Sequence, residues 1–203
     1  MTVVCWDGKY LAVDSRRTKD KVAVTDDSNK IDTSFRGVKF EGSYIRAVAK
    51  AGNVKTTRVL REVLKKDPEV FTRGSYNATG LKKGSLLVVT RKAAWHLSTD
   101  GKGVVEVKKI GKDQSYAIGS GGRIGTFLMD AFGLSAPMAV ASVTMQLDCC
   151  GGPVRYVKCR GVLPGTKLEI KSKNYSDYSS LRKDVLVRLK RKVDQALTDP
   201  HTD

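Results

Sequence analysis

The chain has 203 residues, 40% of them hydrophobic and 29% charged, which suits a single large globular domain able to bury a proper core. No apolar run approaches the roughly 20 residues that a bilayer span needs, and the N-terminus lacks the basic and apolar regions of a signal peptide, so a cytoplasmic protein without membrane partners is expected. The net charge of +16 admits a nucleic-acid partner, an acidic partner or a well-solvated surface; its lysines and arginines are dispersed except near the C-terminus, which favours the last.

Thr2 to Arg16 reads as a hairpin, two short apolar strands around Asp7-Gly8, with Asp14 brought back beside the start of the chain. A polar segment from Arg17 to Ser34 follows and contains Lys30. Tyr44 to Gly52 is a small-residue strand running into a glycine. From about Asn53 to Lys66, Val54, Val59, Leu60, Val63 and Leu64 fall at helical spacing, and Asp67-Pro68 ends the helix. Leu86 to Arg91, Ala93 to Ser98, Val104 to Lys109 and Ser115 to Ile118 are strand-like. A helix with Ile124, Phe127, Leu128 and Ala131 on one face comes next. A second, capped at Ser135-Ala136-Pro137, carries Ala139, Val140, Val143 and Leu147 and ends near Asp148. Val154 to Lys158 is a strand, and about 176 to 197 is a basic amphipathic helix docked on the domain or offered to an acidic partner or nucleic acid. This order suits layered α+β packing better than a parallel α/β sheet. The expected division is a domain over 1–160 and a C-terminal extension over 161–203.

Cys5, Cys149, Cys150 and Cys159 form no disulfide framework at this length, and with His96 and His201 the only histidines a metal site is not expected. His96, within a strand-like run beside Trp95, reads as a packing residue. No cofactor is implied.

The chemistry gathers around Thr2. If Met1 is removed, Thr2 carries a hydroxyl and a free α-amine, a nucleophile with its own base. Asp14 could orient its surroundings and hold a lysine. Lys30, sixteen residues on, would lower the hydroxyl pKa electrostatically. Gly52 could offer a backbone N–H to an oxyanion, and Ser120, at a helix start, is placed to hydrogen-bond the amine.

Ala12-Val13-Asp14-Ser15-Arg16 resembles the Ala-x-Asp-x-Arg segment of proteasome β-type subunits, and Lys30 matches the family's catalytic lysine in its offset from the aspartate. Tyr116 to Gly122 resembles the Gly-Ser-Gly-Gly turn of the bacterial HslV protease, and Leu147 to Val154 the family's late Asp…Ser-Gly-Gly segment, one residue short. The resemblance covers roughly residues 2 to 158 and implies an N-terminal nucleophile hydrolase fold, a four-layer αββα sandwich. It implies a threonine peptidase acting on polypeptides, with Thr2 as nucleophile, Asp14 and Lys30 setting the electrostatics, Gly52 the oxyanion donor, and Ser120 and Asp148 holding the amine. It also implies a homo-oligomeric ring, often fed by an ATPase, and extends to divergent proteins of bacteriophages, which would place the chain in a host cytoplasm. A catalytically inactive structural or interaction protein keeping only the fold is the alternative, and nucleic-acid binding through the basic charge ranks third, since no stacking-aromatic motif is present.

Overall fold

Continuous apolar runs on both sides of a tight turn, buried on both faces, form the expected hairpin, β1 (Val3–Trp6) and β2 (Tyr10–Val13), paired with Cys5 opposite Ala12. Asp7 fastens the turn, its Oδ1 accepting from the backbone N–H groups of Lys9 at 2.8 Å and Tyr10 at 2.7 Å. A computed structural model describes residues 2–19, 22–111, 113–148, 150–162, 166–175 and 187. The segment expected to be a polar connection instead holds β3 (Arg17–Lys19), β4 (Val22–Thr25) and β5 (Ile31–Asp32). β3 and β4 form a separate ribbon with Val22 and Val24 exposed; Arg16–Asp26 closes its base, and Arg155, from far along the chain, pairs with Asp27 just beyond it. Arg17-Thr18-Lys19 is polar, and the apolar run Val22-Ala23-Val24 is short and without the alternation from which a strand could be read.

β6 (Lys39–Phe40) and β7 (Ser43–Gly52) lead into α1 (Val54–Lys66), where Asn53 caps the helix by accepting from the N–H groups of Lys55 and Thr56. α1 buries Thr56, Thr57, Leu60 and Leu64, whereas Val54, expected on the inner stripe, is 50% exposed. The rotation has a steric cause. A Cβ at Gly84 would lie 2.7 Å from Thr56 Cγ2, so the glycine lets the threonine face sit close against the sheet. A short helix, α2 (Glu69–Thr72), follows Pro68, and then come β8 (Gly84–Thr90), β9 (Ala94–Thr99), β10 (Glu106–Ile110) and β11 (Tyr116–Gly119).

α3 (Gly122–Phe132) and α4 (Ala136–Gln146) are the two expected helices. α3 turns Gly125 and Met129 inward, while Phe127 is 59% exposed and packs edge-on against Phe132. Ser135 makes no side-chain cap; the Ala136 N–H donates to Asp7 Oδ2 at 2.7 Å instead, tying the helix start to the first hairpin. β12 (Val154–Lys158) and β13 (Lys171–Lys173) complete the described elements. The expected basic helix over 176–197 lies outside the described residues.

Two antiparallel sheets stack face to face, one ordered β11-β1-β2-β12-β13 and the other β10-β9-β8-β7-β5. Val4, Trp6, Leu11 and Val13 from the first meet Ala47, Ala49, Leu87 and Val89 from the second. Outside them, α3 and α4 cover the first sheet through Val3, Cys5, Ala139 and Val143, and α1 and α2 cover the second through Leu60, Leu64, Phe71 and Val88. This is the expected four-layer αββα sandwich. Leu168 also sits in the inter-sheet core, so the chain beyond residue 160 contributes to it. Among the described residues no helix is long and apolar enough to cross a membrane.

Candidate active site

Thr2 enters β1 at the end of the sandwich where the two sheets approach, and it is 9% exposed. Pairing across the hairpin sets Asp14 opposite Val3: the Asp14 N–H donates to Val3 O at 3.2 Å, and the Val3 N–H donates to Asp14 Oδ1 at 3.0 Å. The carboxylate is fully buried and carries a second load. Lys30 Nζ donates to Asp14 Oδ1 at 2.8 Å and to Thr2 Oγ1 at 2.9 Å. Lys30 arrives from the other sheet, immediately before β5, and its carbonyl accepts from the Lys50 N–H at 3.1 Å. Burial holds the Lys30 ammonium below the ordinary lysine range, against the opposing pull of Asp14.

The third side is supplied by the strand on the far edge of β1. Val3 pairs with Gly119, so the following turn lies over Thr2. Ser120 Oγ accepts from the Thr2 backbone N–H at 3.1 Å and donates to the Thr2 carbonyl at 3.2 Å. Gly119 has a φ of +92°, and a Cβ there would stand 2.1 Å from that same carbonyl oxygen, so only glycine fits.

Gly52 lies at the end of β7 with a φ of +94°. Along β7 the Lys50 N–H points to Lys30, and the Asn53 N–H points the other way, to Lys83 O at 3.0 Å. Strand alternation therefore directs the Gly52 N–H to the Lys30 side, beyond the end of β5. Thr2, Lys30 and Gly52 share one cleft of about 320 Å³.

Of the six residues singled out in the sequence, the structure brings Thr2, Asp14, Lys30, Ser120 and Gly52 to this end of the sandwich. Asp148 is the exception. It is exposed, its carboxylate makes no hydrogen bond or ion pair among the described residues, and only its carbonyl is engaged, accepting from Arg16 Nη1 at 2.7 Å. The motif that suggested it is one residue short, and the phase is lost there. Gly151 takes a part not anticipated, its N–H facing Asp14 Oδ2 at 3.4 Å while its carbonyl accepts from Ser15 and Arg16. Arg16 binds the Asp26 carboxylate with two nitrogens, at 2.7 and 2.9 Å, and a Cβ at Gly151 would lie 2.6 Å from its guanidinium carbon. The arginine of the Ala-x-Asp-x-Arg segment was the available signal for this brace. Met1, on whose removal a free Thr2 amine depends, lies outside the described residues.

Other reactive types stand apart. Cys5 and Cys159 are buried in the apolar layers; burial pushes both thiols up, that of Cys159 to about 12. His96 Nδ1 contacts the Tyr116 hydroxyl at 3.0 Å, and burial with the nearby Lys108 lowers its pKa to about 4, as befits a packing residue. Among the described residues no group of three or more histidine, cysteine or acidic side chains gathers to hold a metal ion.

The fold has known counterparts. Over all of this chain and 98% of theirs, it matches the structure titled Anbu, an ancestral beta-subunit, from Yersinia bercovieri, with a TM-score of 0.57 at 15% identity. A Gly-1 mutant of Anbu from Hyphomicrobium sp. strain MC1 matches over the whole of both chains, with a TM-score of 0.57 at 13% identity. The Thiobacillus denitrificans protein BPH, solved in complex with epoxomicin, matches over 77% of this chain and 96% of its own, with a TM-score of 0.50 at 16% identity. No family model matches the sequence, and no curated protein sequence does. At these identities the likeness is one of fold, the four-layer αββα sandwich.

Proposed function

We propose that this proteasome-like chain is a threonine-type peptidase in which Thr2, freed by removal of Met1, attacks peptide carbonyls. The observation that carries the reading is the position of Lys30 Nζ, 2.9 Å from Thr2 Oγ1 and 2.8 Å from the buried carboxylate of Asp14. A cation held so close to a hydroxyl favours its ionised form, and Asp14 keeps that cation charged in spite of its burial.

On this reading the α-amine of Thr2, oriented by Ser120, takes the hydroxyl proton as Oγ1 bonds to the substrate carbonyl carbon. The Gly52 N–H receives the developing oxyanion. Collapse of the tetrahedral adduct breaks the C–N bond, and the ammonium formed from the α-amine protonates the departing amine. Water then adds to the acyl ester, losing its proton to the same amine, and cleavage of the ester restores the threonine. Asp14 and Lys30 act as a fixed electrostatic frame, with the Gly151 N–H facing Asp14 from behind and Arg16 packed against Gly151. Neighbours that include a beta-subunit support assembly of copies into a larger oligomer, with polypeptides as substrates.

The test combines the mass of the purified chain with hydrolysis of fluorogenic peptides. A chain beginning at Thr2 should cleave them and a Thr2→Ala chain should not. A homogeneous Met1 terminus with no cleavage overturns the proposal. The exposed side chain of Asp148 favours a second reading, an assembly protein that keeps the sandwich without the reaction. A defined oligomer, by size-exclusion mass, that binds a partner and cleaves nothing would support it.

A further inference from the structure

We infer, on the reading that Thr2 is the nucleophile, that the adjoining cleft takes an acidic side chain, glutamate or aspartate, from the substrate residue on the amino side of the cleaved bond, with Lys50 as its main partner. None of the residues lining the cleft is acidic, whereas Arg16, Arg17, Lys30, Lys50, Arg58 and Arg61 are all cationic. Three of these are already engaged: Arg16 with Asp26, Lys30 with Asp14, and Arg61 with Asp32 at 3.2 Å and Glu62 at 2.6 Å. Lys50 and Arg58 have no ion-pair partner among the described residues.

Their placement is what gives the cleft its selectivity. Lys50 stands on β7 two residues before Gly52 and is half-buried, and Arg58 and Arg61 rise from α1 beside it. Burial first, and then the charge of Arg61, hold the Lys50 ammonium below the ordinary lysine range; Asp32 pulls the other way, and Arg58 adds the smallest share of the repulsion. A carboxylate entering the cleft offsets that repulsion and pairs a cation that is partly withdrawn from water, so it gains more than it would at an open surface. A neutral side chain leaves the repulsion in place, and a basic one adds to it. The volume of about 320 Å³ accommodates one side chain. Its lining contains no aromatic ring on which a base could stack, so a peptide carboxylate fits better than a nucleic-acid phosphate.

The experiment uses the full chain with Thr2 at its terminus and fluorogenic peptides identical except for glutamate, leucine or lysine before the cleaved bond. Glutamate should exceed leucine by about tenfold or more in kcat/KM, with lysine slowest. Lys50→Glu should invert the order of glutamate and lysine, and Arg58→Glu, at an exposed helix position that leaves the core intact, should shrink the preference. Equal or faster cleavage after leucine or lysine overturns the inference while leaving the peptidase reading standing. Absence of all cleavage counts against the peptidase reading alone. The cleft is then decided by fluorescence anisotropy on the Thr2→Ala chain, using labelled peptides that differ only by glutamate or glutamine. Tighter binding of the glutamate peptide, lost in Lys50→Glu or Arg58→Glu, supports the inference. Equal binding, or displacement of the peptide by a tighter-binding single-stranded oligonucleotide, overturns it.

Discussion

The carboxylate of Asp14 accepts from the Val3 N–H at 3.0 Å with the same oxygen that receives Lys30, so one buried acid holds both the strand that carries Thr2 and the cation beside the threonine hydroxyl. Fold and candidate chemistry share a part here. A substitution at Asp14 strikes both, which is why the tests below separate stability from cleavage.

Thr2→Ala should reduce peptide hydrolysis on the order of 10³-fold or more, since the nucleophile is lost outright. Thr2 is buried and its Oγ1 accepts from Lys30 Nζ, so the variant should also lose about 1 kcal/mol of stability by the urea midpoint, far too little to account for the loss of cleavage. A variant with one extra residue fixed ahead of Thr2 should lose cleavage to the same degree. Intact mass together with fluorogenic peptide rates checks both.

Lys30→Met leaves the fully buried Asp14 carboxylate without its partner and should destabilise the fold by about 3–5 kcal/mol, as breaking a buried ion pair does. Asp14→Asn should cost a similar amount. The double variant should be clearly more stable than the sum of the two losses predicts, because neither partner is then stranded. Urea denaturation of the three variants measures this coupling.

Much of this arrangement was legible in the sequence, because the chemistry demands particular residue types and the Asp7-Gly8 turn fixes which residues meet. Asp14 must face Val3 once the hairpin closes, and Ser120 must follow whichever strand pairs with β1. Asp148 was misplaced because its assignment rested on a motif one residue short, where nothing local sets the phase. The basic cleft was invisible for a different reason: Lys50 sits on a strand and Arg58 and Arg61 on a helix, and each alone reads as ordinary solvated charge. Only the turn at Gly52 folds the helix back over the strand and brings them together. β3 and β4 went unseen because their pairing is exposed and leaves no apolar alternation.

Gly119→Ala should be far more damaging than an ordinary strand substitution. The backbone stands at a φ of +92°, and the new Cβ would meet the Thr2 carbonyl oxygen at 2.1 Å. Strain on the order of 1–3 kcal/mol is expected at the backbone, and Thr2 must shift from Ser120 to relieve the contact. Cleavage should therefore fall well beyond what the loss in thermal midpoint explains.

His96 makes stability fall with acid. Its pKa is about 4 in the folded chain against about 6.5 unfolded. Below pH 6.5 the unfolded chain binds the extra proton first, so the stability contributed above 6.5 is lost as pH falls toward 4. Allowing for the part of the ring that meets solvent, the loss should be about 2 kcal/mol at most. Urea midpoints taken between pH 7 and 4 should drop less steeply in His96→Gln, the difference isolating this group from the carboxylates that titrate nearby.

Cys5 and Cys159 should resist alkylation in the folded chain, being both buried and held as neutral thiols. Peptide mapping after brief iodoacetamide treatment should find them unmodified, and modified only after addition of urea.

The ribbon of β3 and β4 supplies Arg17 and Thr18 to one wall of the cleft, yet it contributes almost no apolar surface to the body. Arg16–Asp26 closes its base and Arg155–Asp27 ties that base to β12, each pair with a partner open to water. Such clasps weaken as dissolved ions crowd around them, while the oily layers between the sheets do not. Entry to the threonine is thus expected to widen in concentrated salt without any melting of the sandwich, making the gate a gauge of its ionic surroundings.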